Sequence, residues 1–242
     1  MRDAPIRLGV TLGPLGPALE AIDLAAGWGL AAVQLDAADP SMRPRDMGTS
    51  ARRDLSSVLR RKGLVASGID CFVPVERFAD PSRVERSIDA VLSSLALAEA
   101  LGRVPVCMQV PSDPSAATLQ AEAARRGVPL VDFTREAVGA CVGVDPAATL
   151  AAGGDPVAEV HRAAGRIGAA RVVDLLRSGM RGPIGDASGS RLDALAFRLA
   201  LEMSGFRGFP VVDCRQWSGA GEGVVATAKR WCALLPAAEA AS

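Results

Sequence analysis

Short apolar runs alternate with longer amphipathic ones along the chain. The apolar runs are Ile6–Leu12, Ala31–Asp36, Val65–Cys71, Pro105–Val110, Pro129–Phe133, Ala140–Asp145, Ala169–Asp174 and Phe209–Cys214. Each is rich in Val, Ile, Leu, Cys or Phe and poor in charge, the pattern of a parallel strand buried on both faces. Between them lie stretches of helical period. Val84, Ile88, Val91, Leu95, Ala98 and Leu101 recur at spacings of three and four, as do Val157, Val160, Ala164 and Ile167, and Leu192, Leu195, Leu199 and Met203. These spacings predict three helices, each with one apolar face.

Helix boundaries are also marked. Asp80-Pro81, Asp113-Pro114 and Asp155-Pro156 open amphipathic runs, with Asp capping free amides and Pro suiting the first helical position. Gly29, Gly63, Gly102, Gly127 and Gly205 close such runs.

Eight strands alternating with helices leave two architectures, a doubly wound sheet and a closed (β/α)8 barrel. A dinucleotide-binding sheet calls for G-x-G-x-x-G after its first strand. Here that place reads Leu12-Gly13-Pro14-Leu15-Gly16-Pro17, whose prolines break the pattern and remove amide donors. The strand count and the length of 242 residues favour a single TIM barrel spanning 1–242. About six residues separate the fifth and sixth strands, so a reduced helix is expected there.

Composition narrows the function. With 27 basic and 27 acidic residues the net charge is zero, which argues against nucleic acid or an acidic membrane surface as main partner. The five cysteines include no C-x-x-C pair, suggesting neither a disulfide framework nor a zinc site. The N-terminus lacks a signal-peptide core and no run is long enough to span a bilayer, so a cytoplasmic protein is expected. His161, the only histidine, falls within a helical period, which leaves little room for a Ser-His-Asp or Cys-His arrangement.

Several strands end in a carboxylate or amide: Asp36, Asp70, Gln109, Asp132, Asp145, Asp174 and Asp213. In a parallel barrel the C-terminal strand ends ring one mouth, where barrel enzymes keep their chemistry. Each has a plainer role to set beside a functional one. Asp145 precedes Pro146 and suits a helix cap, Asp36 and Asp70 begin loops, and Asp174 precedes a glycine-containing loop. Asp132 and Asp213 lie among apolar residues, where turn propensity explains them less well.

The run Leu8-Gly9-Val10-Thr11, the segment Ala18–Trp28, and Gly29-Leu30-Ala31-Ala32-Val33-Gln34-Leu35-Asp36 together resemble the opening of the sugar phosphate isomerase/epimerase family. This belongs to the xylose isomerase-like TIM barrel superfamily, which also contains endonuclease IV. Arg53–Leu64, Ala90–Gly102, Gly185-Asp186-Ala187-Ser188-Gly189 and the run from Gly205 to Asp213 extend the likeness over nearly the whole chain. The resemblance implies a divalent ion, often Mn²⁺, held by Glu, Asp, His and Glu at the ends of strands five to eight, two of these carboxylates also moving the proton. Those positions fall here on Asp132, Asp145, Arg171 and Asp213.

Arginine offers only donors and cannot coordinate a cation. No tightly bound cofactor is therefore expected. Three alternatives stay open: weak Mg²⁺ or Mn²⁺ binding through Asp132, Asp145 and Asp213, electrostatic replacement of the metal by Arg171, or loss of catalysis. The resemblance implies an isomerase or epimerase of a small sugar, sugar phosphate or related hydroxy-carbonyl compound. Asp132 and Asp213 would be catalytic, facing each other with Arg171 between them near Asp145, and Gln34, Asp36, Gln109, Arg171 and Asp174 would bind substrate. The alternative is a non-catalytic barrel that binds a sugar-like ligand or partner. An endonuclease-like repair enzyme fits least, since that chemistry relies on a histidine-rich zinc site.

Overall fold

The computed structural model describes residues 6–134, 141–187 and 189–234. Eight parallel strands close into a barrel: β1 (Ile6–Thr11), β2 (Leu30–Asp36), β3 (Val65–Asp70), β4 (Val106–Met108), β5 (Leu130–Asp132), β6 (Val142–Val144), β7 (Ile167–Val172) and β10 (Val211–Val212). Neighbours pair in chain order, and β10 closes the ring against β1 through Gly9↔Val211 and Val10↔Val212. Two further strands, β8 (Asp174–Leu175) and β9 (Arg181–Gly182), form an antiparallel hairpin outside the barrel. The predicted seventh strand therefore stops short of Asp174, which belongs to that hairpin.

Eight helices complete the described architecture: α1 (Ala18–Gly27), α2 (Thr49–Arg61), α3 (Val84–Ala100), α4 (Ser115–Arg126), α5 (Pro146–Ala151), α6 (Pro156–Ala163), α7 (Ala194–Met203) and α8 (Ala220–Leu234). One continuous apolar core runs from Leu8 to Trp231 between the strands and the surrounding helices. A small separate cluster of Cys107, Val131 and Ala169, with Phe133 and Cys141 against it, fills the barrel interior. The expected reduced helix between the fifth and sixth strands falls on 135–140, outside the described residues.

Local signals act as their chemistry dictates. Asp155 accepts the amide of Val157 at 2.8 Å and opens α6. Gly127 closes α4 in the left-handed region at φ 63°, a conformation that costs a residue without Cβ nothing. The α7 periodicity located the helix but not its buried face. Phe197, Ala200 and Leu201 point inward, whereas Leu195, Leu199 and Met203 are exposed. His161 is exposed on α6.

Candidate functional site at the barrel mouth

The C-terminal strand ends carry a continuous network of alternating charges. On the inner face, Gly68 leaves the space in which the Gln34 amide lies, since a Cβ there would stand 2.9 Å from that amide. Ser67 donates its hydroxyl to Gln34 Oε1 at 2.9 Å, and Gln34 Nε2 donates to Asp70 Oδ1 at 2.9 Å. Arg171 donates from Nη2 to the same Asp70 oxygen. Its side chain is 1% exposed. Nε and Nη1 of this side chain have no hydrogen-bond partner among the described residues.

Aromatic faces complete the cage. The Arg171 guanidinium lies 5.0 Å from the Phe133 ring centroid, within cation–π range. Phe133 meets Phe72 edge-on at 5.9 Å, and Arg215 sits 4.8 Å over Phe72. Gly143 makes room for this arrangement, because a Cβ there would overlap the Phe133 ring.

From Asp70 the network passes outward. Arg215 Nη1 lies 3.7 Å from Asp70 Oδ2, and Arg215 grips Asp213 with two charged hydrogen bonds, Nε to Oδ1 at 2.7 Å and Nη2 to Oδ2 at 2.6 Å. The Arg215 backbone amide adds 3.2 Å to Oδ1, and Arg181 Nη2 adds 2.8 Å to Oδ2. Arg181 also forks onto Asp145, at 3.2 Å and 2.9 Å. An ionised carboxylate has about four lone-pair sites. All four on Asp213 are taken.

Titration follows from these contacts. Burial alone would push Asp213 up, but the Arg215 hydrogen bonds and the charges of Arg171, Arg215 and Arg181 outweigh it and hold the carboxyl well below the usual range. Burial pulls the Arg215 guanidinium down, and its bonds to Asp213 with the charge of Asp70 more than restore it. Asp36 behaves oppositely. Desolvation raises it, the Ala38 amide at 2.8 Å lowers it, and the charge of Asp70 raises it again, leaving a net upward shift. Asp36 and Arg215 both line an opening of about 590 Å³ beside Gly13 and Pro14.

The structure gathers some of the sequence-derived candidates and disperses others. Gln34, Arg171, Asp145 and Asp213 share the network, and Asp36 borders it. The residue joining Asp145 to Asp213 is Arg181, on the β8–β9 hairpin outside the barrel, in place of the expected Arg171. Asp132 does not face Asp213. Its Oδ1 accepts the amides of Val110 at 3.1 Å and Thr134 at 2.8 Å and the Thr134 hydroxyl, while the adjacent Phe133 turns inward. Asp174 ties down a loop by accepting the Ser190 hydroxyl and the amides of Arg191 at 3.1 Å and Leu192 at 2.9 Å. Gln109 is exposed just past β4. Asp145 also caps α5 through the Ala148 amide at 3.1 Å.

Comparison with solved structures places this geometry in context. D-psicose 3-epimerase of Clostridium cellulolyticum H10, solved with D-tagatose, superposes with a TM-score of 0.73 at 12% identity, over 94% of this chain and 98% of that one. A xylose isomerase-like TIM barrel protein of Mycobacterium smegmatis, in complex with magnesium, superposes with a TM-score of 0.69 at 13% identity, over 96% of each chain. The fold is that of the xylose isomerase-like TIM barrels. A fusion of such a barrel with 4-hydroxyphenylpyruvate dioxygenase matches at a TM-score of 0.67 and 17% identity, and this chain, 91% covered, spans 42% of its length. No family model and no curated protein matches the sequence.

Xylose isomerase-like barrels raise the question of a metal, and the residues here do not fit one. Among the described residues no group of three or more His, Cys, Asp or Glu side chains is placed to hold an ion. The expected trio of Asp132, Asp145 and Asp213 is not assembled. Asp132 is engaged elsewhere, and guanidinium groups fill the acceptor sites of Asp213. The signal for Arg181 and Arg215 is faint, since Arg181 lies on the short β9 of a hairpin outside the barrel and Arg215 on a loop. Only the placement of Arg215 two residues beyond Asp213 hinted at a local pair.

Proposed function

We propose that the barrel mouth binds a small sugar-like hydroxy-carbonyl compound without the metal and proton-transfer pair on which isomerisation in such a barrel would draw. One observation carries this reading: Asp213, the strand-eight carboxylate, is saturated by Arg215 and Arg181 and held far below the range of a useful base. The other candidate base, Asp132, accepts the amides of Val110 and Thr134. What the mouth retains is recognition. Arg215 supplies charged donors for hydroxyl and carbonyl oxygens, and the 39% exposed Phe72 ring offers an apolar face for a sugar ring. Sugar epimerases among the structural neighbours support the ligand class. Free thiols, three of them buried, agree with the cytoplasmic location expected from the sequence.

A second reading has one observation in its favour. Asp36, its pKa raised and its carboxylate beside Arg215, has the character of a base next to a cation that would stabilise an enediolate. Solvent deuterium exchange into a panel of ketoses and their phosphates, run beside thermal shift with the same panel, separates the two. The binding reading predicts a ligand that raises Tm with no exchange. Exchange by the wild type that Asp36→Asn abolishes establishes catalysis and overturns it. A panel that neither exchanges nor shifts Tm also counts against it.

A further inference from the structure

We propose that a second, arginine-lined cavity beside the mouth binds the phosphate group of a small organic phosphate. This cavity, of about 660 Å³, opens between the turn Pro44–Asp46, the end of β3 and the first turn of α3. Five arginines line it: Arg43, Arg45, Arg77, Arg83 and Arg86. Among the described residues no acidic side chain does. Two aspartates just outside balance part of the charge, Asp46 at 3.5 Å from Arg43 and 3.8 Å from Arg45, and Asp80 at 3.2 Å from Arg83. Among the described residues no carboxylate lies within ion-pair distance of Arg77 or Arg86.

Three of the five arginines answer a neighbouring acid, and Arg77 and Arg86 leave a positive excess on the cavity wall. Here like charges converge on a concavity, where self-repulsion opposes the arrangement and a focused positive potential attracts an anion. Guanidinium forks match tetrahedral phosphate oxygens in pairs, and Ser87 brings a hydroxyl to the same wall. The N-terminal turn of the 17-residue α3 borders the cavity through Arg83, Arg86 and Ser87, and a helix N-terminus favours negative charge. Phe72 forms part of the lining and carries Arg215 on its ring, so the cavity adjoins the charge network while sharing none of its ionic residues.

Calorimetric titration with inorganic phosphate, at matched chloride ionic strength, tests the site directly. Wild type is expected to bind saturably, and Arg77→Gln/Arg86→Gln to bind roughly tenfold more weakly or not at all. Both side chains are exposed, and neither has an ion pair among the described residues. Arg61→Gln/Arg207→Gln removes the same charge elsewhere and is expected to leave the affinity within about twofold. Asp213→Asn is expected to leave phosphate binding in place, which keeps the outcome independent of the mouth reading. No saturable binding by wild type, unchanged binding in Arg77→Gln/Arg86→Gln, or equal loss in the control pair overturns the proposal.

Discussion

Replacing Arg171 by Met probes the heart of the network. The guanidinium is buried inside the barrel, bonded to Asp70 and stacked on Phe133. Removing one partner of a buried ion pair costs about 3–5 kcal/mol, because the other charge stays desolvated. Asp70 would keep Gln34 at 2.9 Å and Arg215 at 3.7 Å, so Arg171→Met belongs near the low end, about 3 kcal/mol. At about 2–4 °C per kcal/mol for a protein of this size, that is a fall in Tm of roughly 6–12 °C. Asp70→Leu is worse, about 5 kcal/mol, since it strands a guanidinium two of whose nitrogens already lack partners among the described residues. The double variant Asp70→Leu/Arg171→Met replaces the pair by apolar groups and is expected to lose much less than the sum. Urea unfolding of the four proteins gives the coupling energy. Additivity to within about 0.5 kcal/mol, or Arg171→Met within about 1 kcal/mol of wild type, would refute a desolvated, coupled pair.

Three further outcomes follow from the same contacts. Asp213, with its depressed pKa, contributes stability that is present above the ordinary carboxylate range and is lost as pH falls through its low folded value, so Asp213→Asn should be less stable at pH 7 and converge on wild type in strong acid. Asp36 is raised, so its ionisation opposes folding at neutral pH; Asp36→Asn should be slightly more stable at pH 7, with the advantage vanishing below the unfolded value near 3.8, as thermal melts across pH will show. Asp174→Ala should lower stability by about 2–4 kcal/mol through unsatisfied buried partners while leaving ligand affinity at the mouth unchanged, and a simultaneous loss of affinity would contradict its structural role.

The barrel was legible because strands buried on both faces read as apolar runs, and because caps such as Asp145 and Asp155 and the helix-ending Gly127 obey local chemistry. The site was legible only in part. Side chains on a strand alternate faces, so one residue decides whether a group enters the barrel. Around the three-residue β5, that step put Phe133 inside and sent Asp132 to the neighbouring loop amides. Arg171 lies on the longer β7, where its inward position followed from the register. Arg181 and Arg215 sit on connections whose direction no periodicity encodes, although they decide what Asp145 and Asp213 can do.

The central claim is that guanidinium groups occupy the coordination capacity a divalent ion would need at the mouth. Titrating wild type with Mn²⁺ and following free ion by electron paramagnetic resonance tests it most directly. The account predicts no saturable binding at millimolar Mn²⁺ and no change in Tm on adding EDTA. Stoichiometric Mn²⁺ binding that Asp213→Asn abolishes would contradict it.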